Sequence, residues 1–202
     1  WTLLVQAVDL WIPEVADILD HFGFLPRWRI DDIMVSYAAD GGNVGPHFDN
    51  YDVFLLQGEG QREWSVGGLC DENSALLPHD NLRILANEQF TEKWILNCGD
   101  MLYIPPKYSH HGVAIGECTT YSIGFRAPTV TEMLDDLTTE LISQGGSNEI
   151  YKDPLLTPEM ANQPISKAHL EQIKSLLNKT LNDDKLLLNW FAQYMTQPKY
   201  PE

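Results

Sequence analysis

The sequence changes its hydrophobic period once, near Pro128, and this change constrains the fold more than any other feature. Before Pro128 the apolar residues fall in short runs rich in β-branched and aromatic side chains, which Gly, Pro and Asp turns separate. The predicted strands are Arg29–Tyr37, Asp52–Gln57, Arg62–Gly67, Lys93–Asn97, Met101–Pro105 and Thr119–Phe125. Short strands at this spacing predict an antiparallel sandwich or barrel.

Two glycine-containing turns connect neighbouring predicted strands. The sequence GEG at Gly58–Gly60 and the sequence CGD at Cys98–Asp100 are typical of hairpin connections. The first turn would pair the strand that ends at Gln57 with the strand that begins at Arg62. We therefore expect consecutive strands to be antiparallel neighbours at both turns.

After Pro128 the period becomes helical. Thr129 and Glu132 form the capping box T-x-x-E, and an apolar stripe of Met133, Leu134, Leu137 and Leu141 follows it. Further stripes at helical spacing lie over residues 170–181 and 187–194, and the earlier segment 11–26 predicts one more helix, which Gly23 ends. Helices with such apolar faces must pack on another surface, so we expect either a helical subdomain laid on the β core or a dimer interface.

The length of 202 residues suits one domain with an appendage better than two full domains. We expect a β domain over residues 1–128 and a helical region over residues 129–202. The first residues, WTLLVQAVDLW, carry no initiator Met and resemble the middle of a domain. We therefore expect that an N-terminal part of the protein is missing from this sequence.

The charge balance restricts the possible partners. Asp and Glu number 29 against 13 Lys and Arg, a formal net charge of −16, which repels nucleic-acid phosphates and attracts a basic partner. A merely solubilising surface is the alternative explanation. No apolar run approaches the length of a membrane span, and three widely spaced cysteines without a CxxC pair suit a reducing cytoplasm.

The pattern H-x-D at His47 and Asp49 is the first sign of a metal site. Side chains at i and i+2 of a strand point to the same face, whereas Phe48 points away. His110, at the end of a short loop after a Pro-Pro turn, can complete the site because antiparallel barrels bring distant strands side by side. Two histidines and one carboxylate leave three coordination positions open, as in non-haem Fe(II) oxygenases.

Two alternatives remain open for this site. The ligand types alone do not distinguish iron from zinc or manganese, since zinc hydrolases also use two histidines and a carboxylate. His111 competes with His110 as the third ligand; we prefer His110 because of its distance from the Pro-Pro turn.

Arg62 and Ser36 are candidates for binding an organic anion near the metal. A guanidinium can hold a carboxylate with two parallel hydrogen bonds, and the Ser36 hydroxyl can donate one more. The alternative for Arg62 is a surface ion pair with Glu59 or Glu63.

Three segments carry a resemblance to a known family. GPHFDNYDVFLLQGEGQREW (45–64), GDMLYIPPKYSHHG (99–112) and YSIGFRAP (121–128) together resemble the JmjC/cupin-type 2-oxoglutarate oxygenases. The resemblance covers roughly residues 1–128 and continues more loosely through the helical part. Within the family it is strongest to the bacterial ribosomal oxygenases, which hydroxylate an arginine in protein sixteen of the large ribosomal subunit.

The resemblance implies a double-stranded β-helix (jelly-roll) that carries Fe(II) on His47, Asp49 and His110 and 2-oxoglutarate on Arg62 and Ser36. It implies a reaction with O₂ that decarboxylates 2-oxoglutarate to succinate and hydroxylates an arginine of a basic ribosomal protein. It also implies a homodimer formed through the helical region, and a C-terminal winged-helix-like domain that this sequence lacks. One departure is Lys107, where cupins often have Gly.

Other functions compatible with the sequence are the same chemistry on a histidine or methyl-lysine, non-oxidative chemistry by a cupin with another metal, and a non-catalytic cupin. If the substrate is arginine, carboxylates or aromatic faces must hold its guanidinium, and Asp40 and Tyr51 are our candidates. We expect a cytoplasmic enzyme that binds neither nucleic acid nor membranes through this region.

Overall fold

The computed structural model describes residues 1–79, 82–87, 89–146, 149–154, 157–158 and 163–197. The chain divides into two compact units, Trp1–Ala127 and Pro128–Glu202. The boundary coincides with the change in hydrophobic period, since the described strands all lie in the first unit and the long helices lie in the second.

The first unit is an antiparallel two-sheet structure. Its strands are β1 Thr2–Val5, β2 Ile30–Ala38, β3 Val53–Gln57, β4 Gln61–Leu69, β5 Phe90–Leu96, β6 Met101–Ile104, β7 Tyr108–Ile115 and β8 Cys118–Phe125. Among the described residues, a five-stranded sheet has the order β1-β2-β8-β3-β6 and a three-stranded sheet has the order β5-β4-β7. The predicted double-stranded β-helix with an α-helical appendage is confirmed.

The two hairpin predictions are wrong. β3 pairs with β6 and β8, whereas β4 pairs with β5 and β7, so the turn at Gly58–Gly60 crosses from one sheet to the other. The turn at Cys98–Asp100 likewise joins β5 and β6, which lie in different sheets. The turn residues themselves suit their positions, because Gly60 and Gly99 adopt φ of 69° and 88°. Residues within a tight turn determine its backbone conformation. The pairing of the flanking strands depends on contacts with distant parts of the chain.

Strand β7 occupies a segment leading to His110 for which the sequence predicts a loop. The inward residues of β7 are His110, Gly112 and Ala114, which lack the apolar alternation that signals a strand. A Cβ atom on Gly112 would lie 2.7 Å from the Trp64 ring of β4. The Trp64 indole therefore fills the space that a side chain at position 112 would take. The strand has no apolar residue there, so its sequence does not indicate a strand.

The larger sheet packs on both faces. On its inner face Val53 and Leu55 join a core with Trp64, Leu96 and Ile104 of other strands. Its outer face packs against the N-terminal segment in a second core, whose buried members are Val8, Val15, Leu19, Phe22, Ile30, Ile33, Ile123 and Phe125. The predicted helix over 11–26 is shorter than expected, because α1 spans only Pro13–Ala16 and continues as a 3₁₀ segment over Asp17–Phe22.

The second unit contains the helices α2 Val130–Ser143, α3 Lys167–Leu181 and α4 Asp184–Thr196. The predicted capping box is confirmed: Glu132 N–H donates to Thr129 Oγ1 at 3.2 Å, and Thr129 N–H donates to Glu132 Oε2 at 2.7 Å. The indole N–H of Trp190 donates to Asp136 at 2.7 Å and connects α4 with α2. Within the described part of the chain, no helix has both the length and the apolar character of a membrane span.

Candidate metal centre

The side chains of His47, Asp49 and His110 converge in the first unit. Their potential ligand atoms all lie within 4.8 Å of one another. His110 Nε2 lies 3.6 Å from Asp49 Oδ2, and the two imidazole centroids are 4.3 Å apart. His47 and Asp49, two residues apart, thus meet the distant His110, and the three side chains present two nitrogen atoms and one oxygen atom to one point.

Backbone pairing brings the two histidines together. His47 N–H donates to the His110 carbonyl at 3.1 Å, and His110 N–H donates to the His47 carbonyl at 2.8 Å. This isolated bridge joins the segment after Gly45 to the edge of β7 that faces away from β4. The Asp49 carbonyl is held by Lys107 N–H at 2.6 Å. Lys107 adopts a φ of 68°, so it takes the left-handed conformation that the glycine of the general cupin pattern would favour.

Each imidazole is oriented by its Nδ1 atom. His47 Nδ1 lies 3.0 Å from the Gly45 carbonyl, and His110 Nδ1 lies 3.0 Å from the Tyr108 carbonyl. Since a carbonyl only accepts, each Nδ1 carries the hydrogen and each Nε2 lone pair is available to a metal. Burial, together with the neighbouring His47 ring, lowers the pKa of His110 to about 4. The imidazole is therefore neutral at physiological pH, the state in which it binds metals.

Arg62 lies inside the first unit and not in a surface ion pair. It is 4% exposed, and its Nε and Nη2 atoms have no hydrogen-bond partner. The alternative partner Glu63 contacts Lys93 at 3.0 Å instead. An unpaired buried guanidinium is costly unless an anion satisfies it. The observed environment of Arg62 therefore fits a carboxylate ligand.

The Trp64 ring lies near both Arg62 and His110. The Arg62 guanidinium carbon lies 5.7 Å from the centroid of the Trp64 ring, and the Trp64 and His110 rings are 6.0 Å apart. The indole Nε1 is also buried without a partner. Trp64 is not among the site residues predicted from the sequence, although strand alternation after Arg62 places it on the same face.

Ser36 lies among other buried polar side chains on the inner face of the larger sheet. Its hydroxyl donates to the Thr120 carbonyl at 3.4 Å, and Thr120 Oγ1 donates to Gln57 Oε1 at 3.2 Å. All three residues are at most 2% exposed. Gln57 and Thr120 were not predicted, but the inward alternation of Val53, Leu55 and Gln57 contained the signal for Gln57.

The remaining candidates have identifiable contacts. Asp40 accepts a hydrogen bond from Gly116 N–H at 2.8 Å, which holds the turn between β7 and β8. Burial and the charge of the neighbouring Asp49 carboxylate raise the pKa of Tyr51, so the phenol stays protonated beside Asp49. His111 points away from the three converging ligands, toward Asn43 Oδ1 at 3.2 Å and the ring of Phe90.

The three ligand side chains restrict which metal ions the site can bind. Two imidazoles and one carboxylate bind Fe(II) while leaving positions for a bidentate ligand and O₂, and they also bind zinc or manganese. An unpaired guanidinium in the same interior distinguishes this site from a simple hydrolytic zinc site, since it calls for an anionic second ligand.

The comparisons with known proteins agree with this chemistry. Residues 17–133 match a family model described as JmjC domain. A Haemophilus influenzae protein named "Probable ribosomal oxygenase" is 40% identical over 173 residues, which are 85% of this chain and 41% of the relative. The Escherichia coli "Ribosomal protein uL16 3-hydroxylase" is 34% identical over 200 residues, which are 99% of this chain and 53% of the relative. The chain spans about half the length of the curated relatives it matches.

Solved structures of an Escherichia coli protein are also similar. The X-ray structure of E. coli ycfD has a TM-score of 0.91 and 33% identity, and the match covers 100% of this chain and 54% of that one. YcfD, a ribosomal oxygenase, in complex with cobalt and 2-oxoglutarate has a TM-score of 0.87 and 32% identity, with 100% and 52% of the two chains covered.

Proposed function

Since the chain belongs to the JmjC domain family, we propose that it is an Fe(II)- and 2-oxoglutarate-dependent oxygenase that hydroxylates an arginine of a large-subunit ribosomal protein. The observation that carries this proposal is the convergence of His47, Asp49 and His110 in the interior that also holds the unpaired Arg62. A hydrolytic metal site would not require a buried cation for a second anion.

His47, Asp49 and His110 would hold the iron. When bound, the ferrous ion supplies the oxidation in which 2-oxoglutarate and O₂ yield succinate, CO₂ and the hydroxylated side chain. The Gly45 and Tyr108 carbonyls keep the two Nε2 atoms turned toward that ion. Tyr51 would place a protonated phenol beside the Asp49 carboxylate.

Arg62 would bind the distal carboxylate of 2-oxoglutarate through its two unpaired nitrogens. Ser36 would add a hydroxyl donor in the polar group that it shares with Thr120 and Gln57. Trp64 covers the guanidinium and excludes water from the ion pair. The cobalt and 2-oxoglutarate complex of the similar E. coli protein supports this assignment.

The substrate assignment rests on the relative named uL16 3-hydroxylase and on charge. Ribosomal proteins are basic, and a net charge of −16 would speed their encounter with this protein. The reaction would occur in the cytoplasm, where ribosomes are built. Asp40, which accepts a hydrogen bond from Gly116 N–H, and Tyr51, which lies beside Asp49, remain our candidates for holding the substrate guanidinium.

The test is incubation with Fe(II), 2-oxoglutarate, O₂ and the purified large-subunit protein, followed by mass spectrometry. We expect gain of one oxygen on one arginine and an equal amount of succinate. Asp49→Ala and His110→Ala should lose at least about 100-fold in rate, since the metal loses a ligand. His111→Ala is the matched control and should retain most activity, because that ring faces away.

Three results would change the assignment. Full activity of Asp49→Ala would remove the carboxylate from the ligand set. An oxygen found on a histidine would retain the chemistry and change the substrate. Turnover of another substrate without succinate formation would indicate non-oxidative metal chemistry.

A further inference from the structure

A cavity of about 450 Å³ opens on the outer face of the larger sheet. Five aromatic side chains contribute to its lining: Phe24, Trp28, Phe54, Tyr103 and Phe125. We call this cavity the outer cleft. Phe54 packs with the core on the outer face, whereas its neighbours Val53 and Leu55 pack against Trp64 on the inner face. The outer cleft is therefore separated from the metal centre by the sheet.

The aromatic rings of the outer cleft are arranged around Phe54. Phe24 meets Phe54 edge-on, with centroids 6.3 Å apart and planes at 82°, and Tyr103 lies 4.8 Å from Phe54. Phe24 is 68% exposed, Trp28 44% and Tyr103 46%. Soluble proteins seldom leave several large rings exposed together unless another molecule covers them. A further ring would make edge-to-face contacts with this group and bury a large apolar area.

One end of the outer cleft is polar. Tyr103 donates to Asp52 Oδ1 at 2.6 Å, and Arg29 Nη2 donates to Asp52 Oδ2 at 3.4 Å. Both carboxylate oxygens are thus engaged, whereas Arg29 Nε is buried without a hydrogen-bond partner. The Arg29 side chain is nevertheless 39% exposed, so its guanidinium offers N–H donors to an acceptor at this end of the cleft. A peptide carbonyl beside an aromatic side chain supplies both the ring and the acceptor.

We propose that the outer cleft binds an aromatic residue of a basic polypeptide, with its ring against Phe24 and Phe54 and a backbone carbonyl on the exposed part of the Arg29 guanidinium. The volume lies within the range of about 300–1,000 Å³ that is usual for binding pockets. The net charge of −16 favours lysine and arginine on either side of that residue. The binding needs neither iron nor 2-oxoglutarate, so it stands or fails independently of the proposed hydroxylation.

The test uses three capped tripeptides: Lys-Phe-Lys, Lys-Ala-Lys and Glu-Phe-Glu. NMR titration of the metal-free protein should give a dissociation constant on the order of 1 mM for Lys-Phe-Lys, with shifts at the outer cleft. We expect binding of the other two peptides to be at least about tenfold weaker, because one lacks the ring and the other is repelled.

Two variants locate the binding. Phe24→Ala removes an exposed wall of the outer cleft, and Arg29→Lys keeps the charge beside Asp52 but removes the guanidinium donors. Each should weaken Lys-Phe-Lys about five- to tenfold. Trp11→Ala is the control, since Trp11 is 80% exposed and lies outside the outer cleft. Circular dichroism and thermal melting establish that each variant is folded.

Wild-type affinity in the folded Arg29→Lys and Phe24→Ala variants would overturn the proposal. Equal binding of Lys-Ala-Lys would also overturn it, because the contact would then be charge alone. A third contrary result would be self-association that Phe24→Ala abolishes and that Lys-Phe-Lys cannot compete with. The outer cleft would then be an interface between copies of this chain.

Discussion

His110 combines deep burial with a titratable ring. It is 2% exposed, and its Nδ1–H is directed to the Tyr108 carbonyl. Burial disfavours the imidazolium, and the neighbouring His47 adds to this effect. The same arrangement that keeps Nε2 available to a metal therefore makes protonation of His110 costly in the folded protein.

This cost predicts that the metal-free protein loses stability as pH falls from about 6.5 toward 4. The pKa of His110 is about 4 in the folded state and about 6.5 in the unfolded state, so only the unfolded chain binds the proton within this window. The folded protein keeps this part of its stability in full above pH 6.5. As pH falls toward 4, it loses up to about 3 kcal/mol in the free energy of unfolding. Urea denaturation at pH 7 and pH 5 measures it.

His110→Gln is the comparison variant, since its amide does not titrate. The difference in the free energy of unfolding between pH 7 and pH 5 should be smaller in this variant than in the wild type. The prediction fails if both proteins lose the same stability, because other groups would then account for the whole effect.

At the scale of single elements, β7 is the strand on which the site depends. It places His110 opposite Val66 and Gly112 opposite Trp64 of β4. The Trp64 ring extends over Gly112 and lies near both His110 and Arg62. The absence of a side chain at Gly112 thus allows the indole to lie between the metal ligand and the guanidinium.

Gly112→Ala should therefore destabilise the protein by about 2 kcal/mol, since overpacking a filled interior costs about 1–3 kcal/mol. The added Cβ would lie 2.7 Å from the Trp64 ring and push it toward its neighbours. Urea denaturation measures the loss. Gly68→Ala, also on a strand, is the control: no heavy atom lies within 4 Å of its Cβ position, so we expect a change within about 0.5 kcal/mol. Equal effects of the two changes would contradict the packing argument.

At the scale of the whole molecule, two features favour association with a partner. The acidic surface favours a basic protein, and the helical unit exposes large apolar side chains. The exposed apolar residues on its helices are Val130, Leu134, Ile142, Leu170, Ile173, Leu177, Leu181 and Leu188. A row of exposed leucines on an amphipathic helix is typical of an interface, and we propose that residues 129–202 mediate homodimer formation.

Light scattering at micromolar concentration should therefore give the mass of a dimer. Leu177→Glu should shift it to a monomer, because Leu177 is 61% exposed and a charge there would be desolvated in the interface. Asn178→Glu changes the neighbouring exposed residue of α3 by the same charge and serves as control. A wild-type monomer would refute the prediction. A Leu177→Glu variant that remains dimeric would exclude this face.

Features that depend on neighbours in the chain could be predicted from the sequence. The Thr129–Glu132 capping box, the positive-φ glycines of the turns and most strand positions are of this kind, since residues a few positions apart decide them. The placement of His47 and Asp49 close to each other also follows from their spacing. The lopsided charge is a property of composition alone.

Only the tertiary structure decided which strands pair and which side chains are buried. β3 and β4 are consecutive but belong to different sheets, β7 has no apolar alternation, and Arg62 is enclosed although it follows an exposed turn. The aromatic outer cleft joins residues 24, 54, 103 and 125, whose proximity no local pattern encodes. Pairing and burial depend on contacts between distant segments, and the free energy of the whole fold, rather than local propensity, selects those contacts.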